Sequence, residues 1–489
     1  MTPDARPSSI AVWILLALAL LCRLIALDHQ SLWWDEAWQR LMASEPSFPA
    51  VAERLWREPL AAHPPLSHWI HHAFLSIDDS DFMLRLPGVI FGTLSVIFVL
   101  GLGRRLFSEA TARWAALLWA VSPLQIWFSQ DARMYSALMF FSAASTWLWL
   151  RALDRGRVRD WAWLGIVSTL GMYTHLFFVL IAAVQGVWTW AFHRKSLKAA
   201  CVTWALVGLA FTPMLPFFWS RRALIAGSEL NLLAPIYGFF TYAAGFSLGP
   251  SVLELKANPG FATLRPELIW IGLTGLTFGT AMLAGLFACV RGDRARWLVP
   301  IALVSPFVMV TLASLSSSFV FNVRYTVVAF PFFCLLVGAG LSALARWKPL
   351  QSIWVLLVFG ISIVSVVQLA TNPRYAKEDV RAAVAVWQRL EVRDLIASHA
   401  ANVTVDRYLN SAEREDHIPL GGSAEQESQQ LLEIWQRRGA RRTLHLVVAR
   451  DPWRSVPEAM REVFEVSEVE QFPGGVTLYE LRQRDDPDR

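Results

Sequence analysis

The chain has 489 residues, of which 55% are hydrophobic and 17% charged, and its formal net charge is +5. Soluble domains carry about 25% charged residues, so the composition excludes an ordinary soluble domain and points to a polytopic membrane protein. From Thr371 onward the sequence holds 17 Lys+Arg and 21 Asp+Glu, against 27 and 18 before it. The basic excess therefore belongs to the apolar part, where orientation in a bilayer accounts for it better than nucleic-acid binding.

The first apolar run, Ile10 to Leu27, lacks a small-x-small cleavage site and reads as a retained anchor. Immediately after it comes Asp28-His29-Gln30-Ser31-Leu32-Trp33-Trp34-Asp35-Glu36-Ala37-Trp38. Tryptophan belongs at a membrane–water interface. Adjacent carboxylates there need water, a cation or a basic partner. Taken alone, the stretch reads equally well as an interfacial helix whose acids face water.

In the rest of the loop 28–83, Ser47 to Trp56 and Leu66 to Phe74 are amphipathic and read as helices lying in the interface plane, separated by Pro64-Pro65. His68, His71 and His72 fall on such a face. Asp78-Asp79-Ser80-Asp81 has the look of an acidic metal cluster, but Ser/Asp before an apolar run is a helix N-cap signal, and that reading is preferred.

A span needs about 20 apolar residues. Candidates lie at 10–27, 84–106, 111–127, 134–150, 161–174, 176–192, 199–219, 266–289, 297–315, 325–345 and 353–369. As one helix, 161–192 would be about 48 Å long, which exceeds the bilayer. Splitting it puts every basic connection (Arg104-Arg105, Arg151 to Arg159, Arg194 to Lys198, Arg291 to Arg296, Arg346 to Lys348) on one side, as the positive-inside rule prefers. Eleven spans follow, with the N-terminus cytoplasmic and the C-terminus outside. Asp35, Glu36, His63, Asp131, Arg133, His175 and Arg324 then all arrive at the outer face. Arg23 and Arg113 lie near span ends, where they can snorkel. Cys22, Cys201, Cys289 and Cys334 all sit inside apolar runs, which argues against disulfides, and their spacing suits no metal.

The polar tail, 371–489, is long enough for a small α/β domain with its own core. Helices are expected over Lys377 to Ala397, Glu425 to Arg438 and Pro457 to Val463. Strands are expected at Val403-Thr404-Val405, Leu444 to Val448 and Val476 to Tyr479. No phosphate loop or nucleophile motif is visible, so the tail is expected to be structural or acceptor-binding. The chain thus divides into a membrane catalytic domain, 1–370, containing the outer loop 28–83, and the outer α/β domain.

In order along the chain come Ser31-Leu32-Trp33-Trp34-Asp35-Glu36, His63-Pro64-Pro65-Leu66, Leu84-Arg85-Leu86-Pro87, Ser129-Gln130-Asp131-Ala132-Arg133-Met134-Tyr135, Tyr173-Thr174-His175 and Arg324-Tyr325. This series resembles the protein mannosyltransferase-type integral-membrane glycosyltransferases of the GT-C fold, with their bacterial aminoarabinose and galacturonic acid transferase relatives. The resemblance covers roughly residues 10–345. It implies transfer of a sugar from a polyprenyl-phosphate donor to an acceptor hydroxyl of a protein, lipid or glycan, at the outer face of a bacterial plasma membrane. It makes an acid of the first loop the base, here Asp35 or Glu36, with Asp35 preferred and Glu36 orienting it or binding sugar. Asp131 matches an acid after span three, and either binds sugar or pairs with Arg133.

A carboxylate can take the proton of a sugar hydroxyl, and guanidinium groups stabilise a departing phosphate. Arg133, Arg324 and Arg85 are the candidates for the phosphate, with interfacial snorkelling as the plain reading of Arg324 and Arg85. His63 and His175 are open to phosphate, to a divalent cation or to a structural hydrogen bond, and Tyr135 to phosphate contact or interface anchoring. The competing reading is a transporter or flippase of a lipid-linked sugar. It calls for ionisable groups or broken helices near the bilayer midplane and often for related halves, whereas the span centres are nearly free of ionisable residues and no internal repeat is visible. A non-catalytic scaffold would leave the acid and base series unexplained.

Overall fold

A computed structural model describes residues 9–483 apart from 60, 62, 222–233, 259, 317–320, 391–393, 423, 439–442, 451–457, 459, 462 and 463. Each candidate span coincides with helix. Among the described residues, six helical segments are long and apolar enough to cross a membrane: Asp81–Leu106, Arg194–Ser220, Phe261–Val290, Arg294–Ser314, Val323–Arg346 and Lys348–Thr371. Ile10–Leu24 and Leu176–Phe192 are shorter apolar helices. The region 161–192 is split, as charge placement requires. One helix, Val158–Thr174, ends at His175, and a short 3-10 turn, Leu176–Phe178, leads into Val179–Phe192.

The chain forms two compact units. One comprises Met1–Leu27, Met42–Leu248 and Ile269–Val366; the other comprises Asp28–Leu41, Gly249–Leu268 and Val367–Arg489. The acid-bearing segment after the first apolar helix thus folds with the tail.

In the first unit, the amphipathic segments of the first loop are the helices Phe48–Arg57 and Leu66–Leu75. Ser47 caps the former by accepting from the Ala50 N–H at 3.4 Å. Ser80 caps Asp81–Leu106 by accepting from Met83 N–H at 3.2 Å, so the acidic cluster serves as a helix start. The core is built on Trp119, Trp149, Phe128, Phe178, Phe330 and Phe333, all essentially buried.

Arg23 corrects the sequence reading. It does not snorkel but is fully buried. It donates to the carbonyls of Ala19 (2.7 Å), Ala120 (3.0 Å) and Trp119 (3.1 Å), to Gln125 Oε1 (3.1 Å) and to Ser129 Oγ (3.1 Å). Trp119 and Ala120 lie in the last turn of Glu109–Val121, whose carbonyls have no partner within that helix. A guanidinium suits that end of the helix dipole. Gly92 makes room for it: a Cβ there would lie 2.2 Å from Ser129 Oγ and 2.8 Å from Arg23 Nε.

In the second unit the tail is a three-layer α/β domain. Its sheet runs β2-β1-β3-β5-β4, with β1 (Leu395–Ala397) parallel to β2 (Ile418–Pro419) and to β3 (Leu444–Val448). β5 (Val476–Gln483) is antiparallel to β3 and to β4 (Phe464–Phe472). Alternate residues face opposite layers. Leu395, Ala397, Val447 and Leu478 pack on the helix Val380–Trp387, whereas Ile396, Leu446, Val448 and Leu481 share a cluster with Leu431 and Trp435 of Ala424–Arg438.

Two expectations for the tail fail. Val403-Thr404-Val405 is helical, within Asn402–Tyr408. Ala401, Val405 and Leu409 are buried at a four-residue spacing, and that packing overrides the strand preference of a short β-branched run. The helix expected from Lys377 to Ala397 stops at Trp387, and Leu395 begins β1. The helix expected over Pro457 to Val463 lies largely outside the described residues.

Candidate functional site

The sequence-predicted site residues fall into two groups, one in each unit. In the first unit they surround the end of Val158–Thr174. The His63 and His175 rings lie 5.1 Å apart, and Tyr135 and His175 6.1 Å apart. The Arg324 guanidinium sits 5.9 Å from the Tyr135 ring centroid, and Phe177 packs on Tyr325 at 4.6 Å. Residues far apart in the sequence converge here because the helix break at His175 and the 3-10 segment Val323–Ala329, which leads into the next helix, both lie beside Tyr135, the first residue of Tyr135–Arg155.

His175 is 3% exposed, and its Nδ1 accepts from Phe177 N–H at 3.1 Å. In the neutral ring the proton then sits on Nε2. Among the described residues nothing accepts from that nitrogen. Burial, with Arg133 second, pushes the His175 imidazole down to about 3. His68 is also pushed down to about 3, by burial first and then by Arg133 and His71, against the raising effect of a hydrogen bond its ring donates to the Pro64 carbonyl. Loss of water, then the charges of Arg133, His175, His68 and Arg324, hold His63 well below its ordinary value. The imidazoles are neutral donors within a cationic field.

Arg133 is 8% exposed and lines a narrow pocket of about 10 Å³ with Ser67, His71, Gly88, Met134 and Thr174. The turn carrying Asp131 and Arg133 is tightly fixed. Ser136 Oγ donates to Gly88 O at 2.8 Å, and Gln130 Nε2 donates to the carbonyls of Arg23 (3.1 Å) and Ile25 (2.8 Å). A Cβ on Gly88 would lie 2.7 Å from Ser129 O, so only glycine permits this approach. Asp131 is buried in the turn. Arg85 is buried and donates to Leu27 O at 2.9 Å, which holds the chain as it leaves the first helix.

In the second unit Asp35 and Glu36 occupy the first turn of Trp34–Ala43, where the helix dipole favours carboxylates. Glu36 is fully buried, with Oε2 3.2 Å from Lys377 Nζ. Asp35 Oδ1 lies 4.0 Å from Arg450 Nη2. The segment before the helix is held from the tail. Leu32 N–H donates to Tyr408 Oη at 2.7 Å, and Arg381 donates to Asp28 O at 3.2 Å and Gln30 O at 3.4 Å. Sequence reasoning missed Lys377, Glu378 and Arg450 because nothing in their local pattern points to partners hundreds of positions away.

A divalent cation was an open possibility for this chemistry. Among the described residues no group of three or more His, Cys, Asp and Glu side chains is placed to hold one. The imidazoles share their space with guanidinium groups, which repel a cation and suit an anion.

A family model described as dolichyl-phosphate-mannose-protein mannosyltransferase matches residues 62–219. Comparison with curated proteins finds no match. Among solved structures, the chain is similar to ArnT from Cupriavidus metallidurans bound to undecaprenyl phosphate, with a TM-score of 0.59 and 13% identity over 96% of this chain and 97% of that one. It is also similar to the Archaeoglobus fulgidus oligosaccharyltransferase in complex with Zn and sulfate (TM-score 0.56, 13% identity, 96% and 72% covered). The arabinofuranosyltransferase AftD from Mycobacteria matches with a TM-score of 0.53 at 15% identity, over 99% and 40%. The fold is therefore the GT-C fold of integral-membrane glycosyltransferases. Residues 62–219 are similar to the mannosyltransferase family model, and the solved structures share the fold.

Proposed function

We propose that the chain is an integral-membrane glycosyltransferase that moves a sugar from a polyprenyl-phosphate donor to a hydroxyl of a glycan, lipid or protein acceptor, at the outer face of a bacterial plasma membrane. The observation that carries this reading is the buried His175 Nε2–H, a donor without an acceptor among the described residues, in the field of Arg133. A phosphate oxygen is the ligand of matching chemistry. The names of the similar proteins lend support: one family is named for dolichyl-phosphate-mannose, and one solved structure holds undecaprenyl phosphate.

In the proposed reaction Asp35 accepts the proton of the acceptor hydroxyl. The freed oxygen pair forms the new bond to the sugar's anomeric carbon. The bond from that carbon to the phosphate oxygen breaks, and its electron pair leaves with the phosphate, where Arg133, Arg324 and the neutral His63 and His175 stabilise the charge, with Tyr135 beside them. Asp131 and Arg85 hold the surrounding turns, and Asp131 is open to the sugar.

The test is complementation of a strain lacking the gene, with mass spectrometry of its envelope glycolipids and glycans. Asp35→Asn should cut transfer by about 10²–10⁴, the usual worth of a general base, while the purified full-length protein still binds undecaprenyl phosphate. Arg324→Ala should weaken that binding more than it weakens acceptor use. Wild-type transfer by Asp35→Asn with Glu36→Gln added would end the base assignment.

A further inference from the structure

We infer that Lys377, Glu378 and Arg450 are positioning residues that aim the Asp35 carboxylate, which makes the α/β domain a working part of the catalytic apparatus. The inference rests on the proposed transfer reaction. Its starting point is that the helix bearing Asp35 is held through its first turn by side chains of the tail, all within the second compact unit.

Three contacts do the holding. Glu36, fully buried, meets the 6%-exposed Lys377 Nζ at 3.2 Å. Neighbouring residues on a helix point about 100° apart, so clamping Glu36 sets the direction of Asp35. Glu378 Oε2 accepts from the Trp34 N–H at 3.1 Å, which supplies an orphan donor of the helix start with a carboxylate. The other Glu378 oxygen is paired with Arg450 Nε. Arg450 also reaches toward Asp35, at 4.0 Å, and lies over the rings of Trp33 and Trp34, 5.0 and 5.5 Å from their centroids.

The backbone is shaped for this. Arg450 follows β3, the middle strand of the sheet, and has φ +61. A non-glycine residue in the left-handed region is held there by its surroundings, and such residues gather at functional sites. Gly474, with φ +75, lies in the β4–β5 turn; a Cβ on it would meet Lys377 O at 2.4 Å and Glu378 N at 2.5 Å. The turn therefore presses directly on the backbone that presents Lys377 and Glu378. Asp379 N–H donates to Pro473 O at 3.0 Å in the same place.

The experiment uses the full-length protein in lipid nanodiscs. Lys377→Met removes the cation under Glu36. Arg450→Asn removes the guanidinium and keeps a residue that tolerates a left-handed backbone. Amide hydrogen exchange across 33–41 should speed up at least tenfold in each variant, while exchange across β3 stays at the wild-type rate. Transfer in the complemented strain should fall at least tenfold, with undecaprenyl phosphate binding unchanged. Lys377→Arg should restore both exchange protection and transfer. Unchanged exchange in both variants overturns the inference, as does exchange that rises equally in β3, and so does wild-type transfer from a loosened helix. A wild-type chain that supports no envelope modification overturns the proposed reaction and the catalytic side of the inference, whereas the exchange pattern is read independently of it.

Discussion

At the scale of single residues, the chemistry of the first unit is set by imidazoles that burial and Arg133 keep neutral. This has a definite sign for stability. In the unfolded chain each histidine takes a proton as the pH falls below about 6.5. In the folded chain His68 and His175 resist protonation down to about 3, and His63 lies well below its ordinary value. Between those limits the unfolded state binds more protons, so stability is full above about 6.5 and is lost progressively on acidification. Thermal unfolding in detergent should therefore show a midpoint that drops from pH 7 to pH 5. His175→Gln should flatten that dependence, because glutamine does not titrate there. An equally steep profile in this variant would place the titrating groups elsewhere. Undecaprenyl phosphate should blunt the acid loss, since a bound anion favours a charged imidazole.

At the scale of elements, packing and polar satisfaction decide what local pattern leaves open. The amphipathic helices of the first loop, the Ser80 cap and the break at His175 were legible in the sequence, since each follows from apolar spacing, a capping residue or a length limit. The helix at Val403 to Val405 was not, because its strand-like residues are judged by neighbours distant in the chain. Arg23 was misread for the same reason: a basic residue near a span end snorkels by default, and only the fold brings the carbonyls of Trp119 and Ala120 to it. Of the candidate site, the outer-loop acids and the histidine and arginine positions could be read in order, whereas the Lys377 and Arg450 contacts are tertiary and left no local trace. The Arg23 arrangement predicts that Arg23→Met, which strands several buried acceptors, costs on the order of 3 kcal/mol. Arg23→Lys should recover little, because an ammonium cannot reproduce the five-donor fork. Thermal melts of both variants in detergent check this; a wild-type midpoint for either would show that the fork is dispensable.

At the scale of the whole molecule, the division of labour depends on sidedness. The split at His175 fixes the parity of every connection that follows it, so it also fixes which groups can share a compartment. The split predicts, by the positive-inside rule, that the basic turns holding Arg155 and Lys195 lie on one side of the membrane and the positions Asp78 and Glu465 on the other. These four positions are exposed, so each tolerates a single cysteine in a chain whose native cysteines are replaced. A membrane-impermeant maleimide applied to spheroplasts should label Asp78→Cys and Glu465→Cys directly, and Arg155→Cys and Lys195→Cys only after permeabilisation. Labelling Arg155→Cys and Lys195→Cys from opposite sides would mean that the two helices meeting at His175 cross as one unit. In that case Asp35 and Arg324 would face different compartments, and no single sugar–phosphate bond could be served by both.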